Sequence, residues 1–311
     1  MENNTKILQW LLQGDASIRW QVYGDLLHEK QQVIDSERIK IANEGWGAQL
    51  LSMQDQKGTW SSAIYSPKWT STTYTLLLLK RMGLTPGNSQ AVKACQLLLD
   101  KGFYHDGGIN YFASMKRSET CVTAMVLALA SYFGLKDSRI IQLVEHLLSQ
   151  QLSDGGWNCR SFLGDTHSSF HTTITVLEGF ADFMNVFPSD PLIKPLQISI
   201  SKAHEFFLQH QLFKSHRTGE IANSKFTLFS FPPRWYYDVM RGLDYFRFVK
   251  AKKDLRFNDS IQLLLKKRTK EGLWKLQNKH AGITFFEMEK IGEPSRWNTL
   301  RALRILKWWE S

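Results

Sequence analysis

The chain has 311 residues, 43% of them hydrophobic, and a formal charge of +10. That apolar content can bury a large core, so intrinsic disorder is excluded. The three cysteines, Cys95, Cys121 and Cys159, lack CxxC spacing, which argues against a disulfide framework or a zinc knuckle and reads as buried thiols. No apolar run is long enough for a transmembrane segment, and MENNTKILQW lacks the basic start and apolar core of a signal peptide, so a cytoplasmic location is expected. The cations are spread along the chain. Their clusters, Lys250 to Lys253 and Lys266 to Arg268, sit at predicted helix ends where they suit the helix dipole, so no nucleic-acid partner is expected.

In chain order, Asn4 to Gln13 predicts an outer helix and IRWQV, from Ile18 to Val22, the start of an inner one. QDQKGTW, from Gln54 to Trp60, predicts a glycine turn, followed by PKWTSTT (Pro67 to Thr73) and the apolar TYTLLLLKRMGL. HDGGINY, from His105 to Tyr111, repeats that turn with tyrosine in place of tryptophan, ahead of RSETCV (Arg117 to Val122) and TAMVLALASYFGL. QLSDGGW, from Gln151 to Trp157, precedes SSFHTT (Ser168 to Thr173), and PRWYYD (Pro233 to Asp238) opens the fifth inner helix. RTKEGLW, from Arg268 to Trp274, precedes PSRWNT (Pro294 to Thr299). Six helix starts recur every 50 to 60 residues or so, the period of a repeat architecture. Several inner segments are apolar all round, which fits helices enclosed by helices. The expected fold is all-α, a single (α/α)6 toroid spanning residues 1–311 as one domain, with the first outer helix pairing with the last inner one.

The Q-x(3,5)-G-x-W pattern at Gln54–Trp60 and Gln151–Trp157 resembles the QW repeat of the squalene-hopene cyclase, oxidosqualene cyclase and protein prenyltransferase β-subunit superfamily. The resemblance implies a terpenoid cyclase-like ring in which Gln54, Trp60, Gln151 and Trp157 tie outer helices together. It implies an isoprenoid or other apolar ligand, with a squalene-sized one requiring a partner chain. The acidic DxDD motif of protonating cyclases and the DDxxD motif of ionising ones are both absent.

In a closed ring the inner helix starts converge at one mouth. They carry Arg19 and Trp20; Lys68, Trp69 and Thr72; Arg117 and Glu119; His167 and His171; Arg234, Trp235, Tyr237 and Asp238; and Arg296, Trp297 and Asn298. Helix N-termini with Arg and Lys suit an anion, and indole faces suit a hydrocarbon or carbocation. The ligand expected is apolar with a phosphate, carboxylate or oxygenated end. Asp238, Glu119 and His171 are the candidate acid–base residues. Asp165, His167, His171 and Cys159 do not match the order of the prenyltransferase zinc motif, so no cofactor is expected, with zinc or magnesium the only metals in view. Two other readings stay open. Glu119 and Asp238 facing each other about 5–10 Å apart would suit a carbohydrate-active enzyme, and charge-neutralised carboxylates would suit a non-catalytic binding module for a metabolite or a peptide end.

Overall fold

A computed structural model describes residues 2–311. The chain is all-α, as the apolar periodicity predicts: helices follow one another along the described residues, and the extended pairings present are isolated bridges. The helices are α1 (Glu2–Leu12), α2 (Ala16–Gln21), α3 (Gln31–Ile39), α4 (Gly45–Ser52), α5 (Thr72–Met82), α6 (Ser89–Gly102), α7 (Thr120–Tyr132), α8 (Arg139–Ser149), α9 (Phe170–Val186), α10 (Ile193–Gln209), α11 (Val239–Phe248), α12 (Asn258–Lys266) and α13 (Arg296–Glu310). The six starts read from the sequence fall within or just ahead of the first turns of α2, α5, α7, α9, α11 and α13. This alternation of helices is the order of an α/α toroid. The first inner helix departs from the pattern: α2 is six residues long and runs into a π-helical stretch, Val22–Leu27, that ends at His28 in the left-handed region.

The chain forms two compact units. One contains residues 1–53, 81–85 and 208–311, the other 54–80 and 86–207. In the second unit, α7 is buried on nearly every side, while α8 buries Ile140, Leu143, Val144 and Leu147 along one stripe. α7 also packs closely on α9, since a Cβ on Gly179 would lie 2.9 Å from the carbonyl of Ala124. In the first unit, α13 packs on α11, and Arg296 reaches back to the carbonyl of Trp10 on α1 at 3.0 Å.

The glycine turns share one hydrogen-bond plan. Gly58, Gly107, Gly155 and Gly272 all have φ between 84° and 96°, a region open to glycine and strained for other residues. Two residues later, the backbone N–H of Trp60, Ile109, Trp157 or Trp274 donates to the hydroxyl of Thr72, Thr123, Thr173 or Thr299 at 2.9–3.1 Å. Ile109 therefore occupies the tryptophan's backbone position in HDGGINY, which corrects the reading of Tyr111 as its direct replacement. Tyr111 supplies only the polar half of the indole's role. Its hydroxyl donates to the Leu98 carbonyl at 2.8 Å, as the indole N–H of Trp157 donates to Leu147 and that of Trp274 to Leu264. Gln54 and Gln151 each donate to the turn carbonyl four residues on and to a carbonyl of a following outer helix, Gln90 on α6 or Ser199 on α10.

Replacing Gly155 with alanine is expected to lower stability by about 2–3 kcal/mol in chemical denaturation. The new Cβ would lie 2.5 Å from the Lys202 carbonyl, in addition to the cost of a positive φ. Gly164→Ala is the control. It has a similar φ of 94° with open space around it, so only the backbone strain remains, about 1 kcal/mol.

In the first unit, a buried ionic cluster joins α11 to α13. Arg304 donates to both carboxylate oxygens of Asp244, to Gln21 at 2.6 Å and to Asp25 at 3.1 Å. Arg247 donates to Asp244 at 3.1 Å, and the Arg301 guanidinium lies 3.5 Å from it. Burial by itself would raise the Asp244 carboxyl, but the charges of Arg304, Arg247 and Arg301 hold it well below the usual carboxylate range.

Candidate functional site

The second unit contains a cavity of about 590 Å³. The loop after the first glycine turn contributes Ile64 and Tyr65, and the loop after the second contributes Asn110, Tyr111, Phe112, Met115 and Lys116. The end of α6 and the residues that follow it add Lys101 and Tyr104. Asn110 shapes the second loop: its side-chain amide donates to the Met115 carbonyl at 2.8 Å, and its side-chain oxygen accepts from the Phe112 N–H at 2.7 Å. Tyr111 is seated against α6, where Gly102 leaves room for it; a Cβ on Gly102 would lie 2.3 Å from its ring. Tyr65 is the hinge of the aromatic wall. It stacks on Tyr111 at 6.1 Å, meets Phe112 edge-on at 5.5 Å and shares a hydroxyl contact of 3.0 Å with Tyr74. Tyr65, Tyr104, Tyr111 and Phe112 thus form an aromatic part of a mixed polar and apolar lining, and the two lysines, both exposed, are the charges on it.

Beyond Tyr65 lies a second group of polar and sulfur-bearing side chains. A carboxylate oxygen of Glu119 and the sulfurs of Cys121 and Cys159 lie within 4.8 Å of one another, the one such metal-competent trio among the described residues. Glu119 holds the N-cap position of α7 without capping it, so its carboxylate is left to accept the Cys121 thiol at 2.9 Å. Cys159 follows the third glycine turn, and its sulfur lies 3.3 Å from the Thr172 hydroxyl on α9. The hydrogen bond with Cys121 holds its thiol below the usual range, against the opposing effect of burial, while the same contact together with burial pushes Cys121 up. Burial, reinforced by the negative charge available at Cys121 and Glu119, pushes the Tyr65 phenol up.

The residues singled out from the sequence divide between the two units. In the second, Trp69 is buried edge-on against Tyr74 at 4.8 Å, so it backs the aromatic wall. Thr72 accepts the Trp60 N–H and donates to the Ala63 carbonyl at 2.7 Å, holding the first turn. Lys68 and His167 are exposed. Arg117 is also exposed and covers the Phe162 ring at 4.7 Å. His171 is half-buried in the first turn of α9, and Asp165 pairs with Arg160 at 3.0 Å. Glu119 is the one candidate acid–base residue placed in the thiol cluster.

In the first unit, Arg19 binds Glu37, Glu44 and the Gly14 carbonyl. Trp20 donates to the Met82 carbonyl at 2.7 Å beneath Arg38. Arg234 adopts a positive φ of 57°, and Trp235 stacks on Tyr236, which stacks on His280. Tyr237 donates to the Leu212 carbonyl at 2.6 Å. Asp238 is the N-cap of α11: it accepts the Arg241 N–H at 2.8 Å and both the N–H and the hydroxyl of Ser230. Arg296 covers the Trp10 ring, Trp297 stacks on Phe231 at 4.0 Å, and Asn298 donates to the Lys275 carbonyl at 3.1 Å. These contacts cap helices and join helices and loops to one another.

Sequence reasoning missed Tyr65, Lys101, Tyr104, Lys116 and the pairing of Cys121 with Cys159. The available signal was Glu119-x-Cys121 at the start of one inner helix and a second cysteine two residues beyond the next turn, at Cys159.

No helix among the described residues is long and apolar enough to cross a membrane. No protein-family model matches the chain, and no curated protein does. Among solved structures, it is similar to a variant of the type II terpene cyclase MstE from Scytonema in complex with merosterolic acid A, at 17% identity and a TM-score of 0.49, covering 95% of this chain and 87% of that one. A second MstE variant, in complex with geranylgeranyl dihydroxybenzoate, matches at 18% identity and a TM-score of 0.48 over 94% of this chain and 86% of that one. A protein from Actinoplanes matches at 15% identity and a TM-score of 0.47, covering 96% of this chain and 91% of that one.

Proposed function

We propose that this protein binds an isoprenoid, or a ligand of like shape and polarity, with its hydrocarbon body against the aromatic wall and an anionic end at Lys101 and Lys116. The observation that carries this reading is the pairing of four aromatic side chains with two exposed lysines on the lining of a cavity of about 590 Å³. Such a volume lies in the range of small-molecule sites. The ring faces of Tyr65, Tyr111 and Phe112 gain by excluding water from a polyene, and ammonium groups favour a phosphate or carboxylate as point charges. Asp238 has a capping role in this reading, and Glu119 is the carboxylate adjoining the wall through Tyr65.

The test is calorimetric titration with farnesyl and geranylgeranyl diphosphate, the matching alcohols and cello-oligosaccharides. Binding of a diphosphate is expected to weaken at least tenfold in Lys101→Glu/Lys116→Glu, about 1.4 kcal/mol or more. Binding of the alcohol should change little. Oligosaccharide binding with no prenyl binding would overturn the reading in favour of a carbohydrate-active protein.

A further inference from the structure

We propose that Glu119, Cys121 and Cys159 form a binding site for one soft divalent cation, of which zinc best fits the donor set. The trio offers two sulfurs and one carboxylate oxygen, all within 4.8 Å of one another. Tetrahedral zinc holds sulfur at about 2.3 Å and carboxylate oxygen at about 2.0–2.2 Å, which places neighbouring donors roughly 3.5–3.8 Å apart. Shifts of about an ångström or less at the side-chain tips would therefore close the shell. Thiolate donors select zinc over magnesium or calcium, which prefer all-oxygen shells.

The supporting contacts are already in place. The Cys121 thiol donates to Glu119 at 2.9 Å, and a cation arriving between them takes the place of that proton. Binding releases the thiol protons of Cys121 and Cys159 to solvent, and no oxidant or reductant is involved. The Thr172 hydroxyl, 3.3 Å from the Cys159 sulfur, is placed to donate to the thiolate and orient it. The donors come from two segments: Glu119 and Cys121 from the start of α7, and Cys159 from the loop ahead of α9. The cation would join those two segments. Three protein donors leave one position of a tetrahedral shell for water or an exogenous ligand. This site stands whether or not the cavity takes a prenyl ligand.

The experiment uses the full chain, reduced with a phosphine and freed of metal. Zinc is added and the unbound metal is removed. Elemental analysis is then expected to find one zinc per chain in the wild type and in Cys95→Ser, whose cysteine is buried elsewhere. Cys121→Ser, Cys159→Ser and Glu119→Gln should each weaken zinc binding at least tenfold in competition with a chromogenic chelator. Cobalt in place of zinc should give a thiolate charge-transfer band that disappears in Cys121→Ser/Cys159→Ser. Alkylation mapping of the wild type gives a second readout that needs no variant to fold: zinc should protect Cys121 and Cys159. No zinc retained by the reduced wild type, undiminished zinc in the double variant, or equal alkylation with and without zinc would each overturn the proposal.

Discussion

Replacing Asp244 with asparagine is expected to destabilise the protein by about 3–5 kcal/mol, measured by urea denaturation near neutral pH. The substitution preserves volume, so the loss is electrostatic. Arg247, Arg301 and Arg304 converge on this carboxylate from α11 and α13, and without it Arg247 and Arg304 keep Asp25 as counter-charge while Arg301 keeps the charge of Asp238. Arg301 and Arg304 have side chains only 4% and 12% exposed, so water cannot take over the lost charge. The pH dependence follows from the depressed carboxyl of Asp244. Its stabilisation is fully present above the unfolded carboxyl value of about 3.9 and is lost as the pH falls toward the lower folded value. The gap between wild type and Asp244→Asn should therefore be constant from neutrality to about pH 4 and narrow below that. A gap that stays constant below pH 4 would refute the assignment of the stabilisation to this ionised group.

Trp157→Ala should be as damaging, about 3–5 kcal/mol. The indole is fully buried and meets Phe180 edge-on at 5.7 Å, so truncation empties a large volume between the turn and α9. It also removes the donor to the Leu147 carbonyl at the end of α8. Trp157→Phe separates these effects. Most of the volume returns while the carbonyl stays unpaired, and a residual loss of about 1–3 kcal/mol is expected. Equal losses for the two variants would mean that the hydrogen bond, and not the filled volume, holds the turn.

Local features explain which parts of the structure were legible in the sequence. The inner helices were visible because segments such as Thr123–Leu135 are apolar all round, and the turns were visible because positive-φ glycines recur two residues before a large side chain. Both signals are short-range. The cavity was not visible, because its wall is made by Tyr65, Tyr111 and Phe112 from two loops distant in sequence, and nothing in either loop alone marks it. The meeting of Cys121 with Cys159 was hidden for the same reason. Inner helix starts drew attention because they mix charge with aromatics, yet Asp238, Thr72 and Asn298 are occupied in capping or in joining loops to helices, and Arg296 in joining α13 to α1. A helix start needs such groups whether or not a ligand is present.

The threonine beneath each turn sets how far such chains can drift before they are no longer recognised. It accepts a backbone N–H, so the bond itself constrains nothing about the side chain above it, and Ile109 over Thr123 makes the same bond without an indole. The threonine's distance from the turn is free as well, with separations of 12, 14, 16 and 25 residues. A search profile weighted on tryptophan will therefore pass over repeats that a glycine-to-threonine pattern with a variable gap would count.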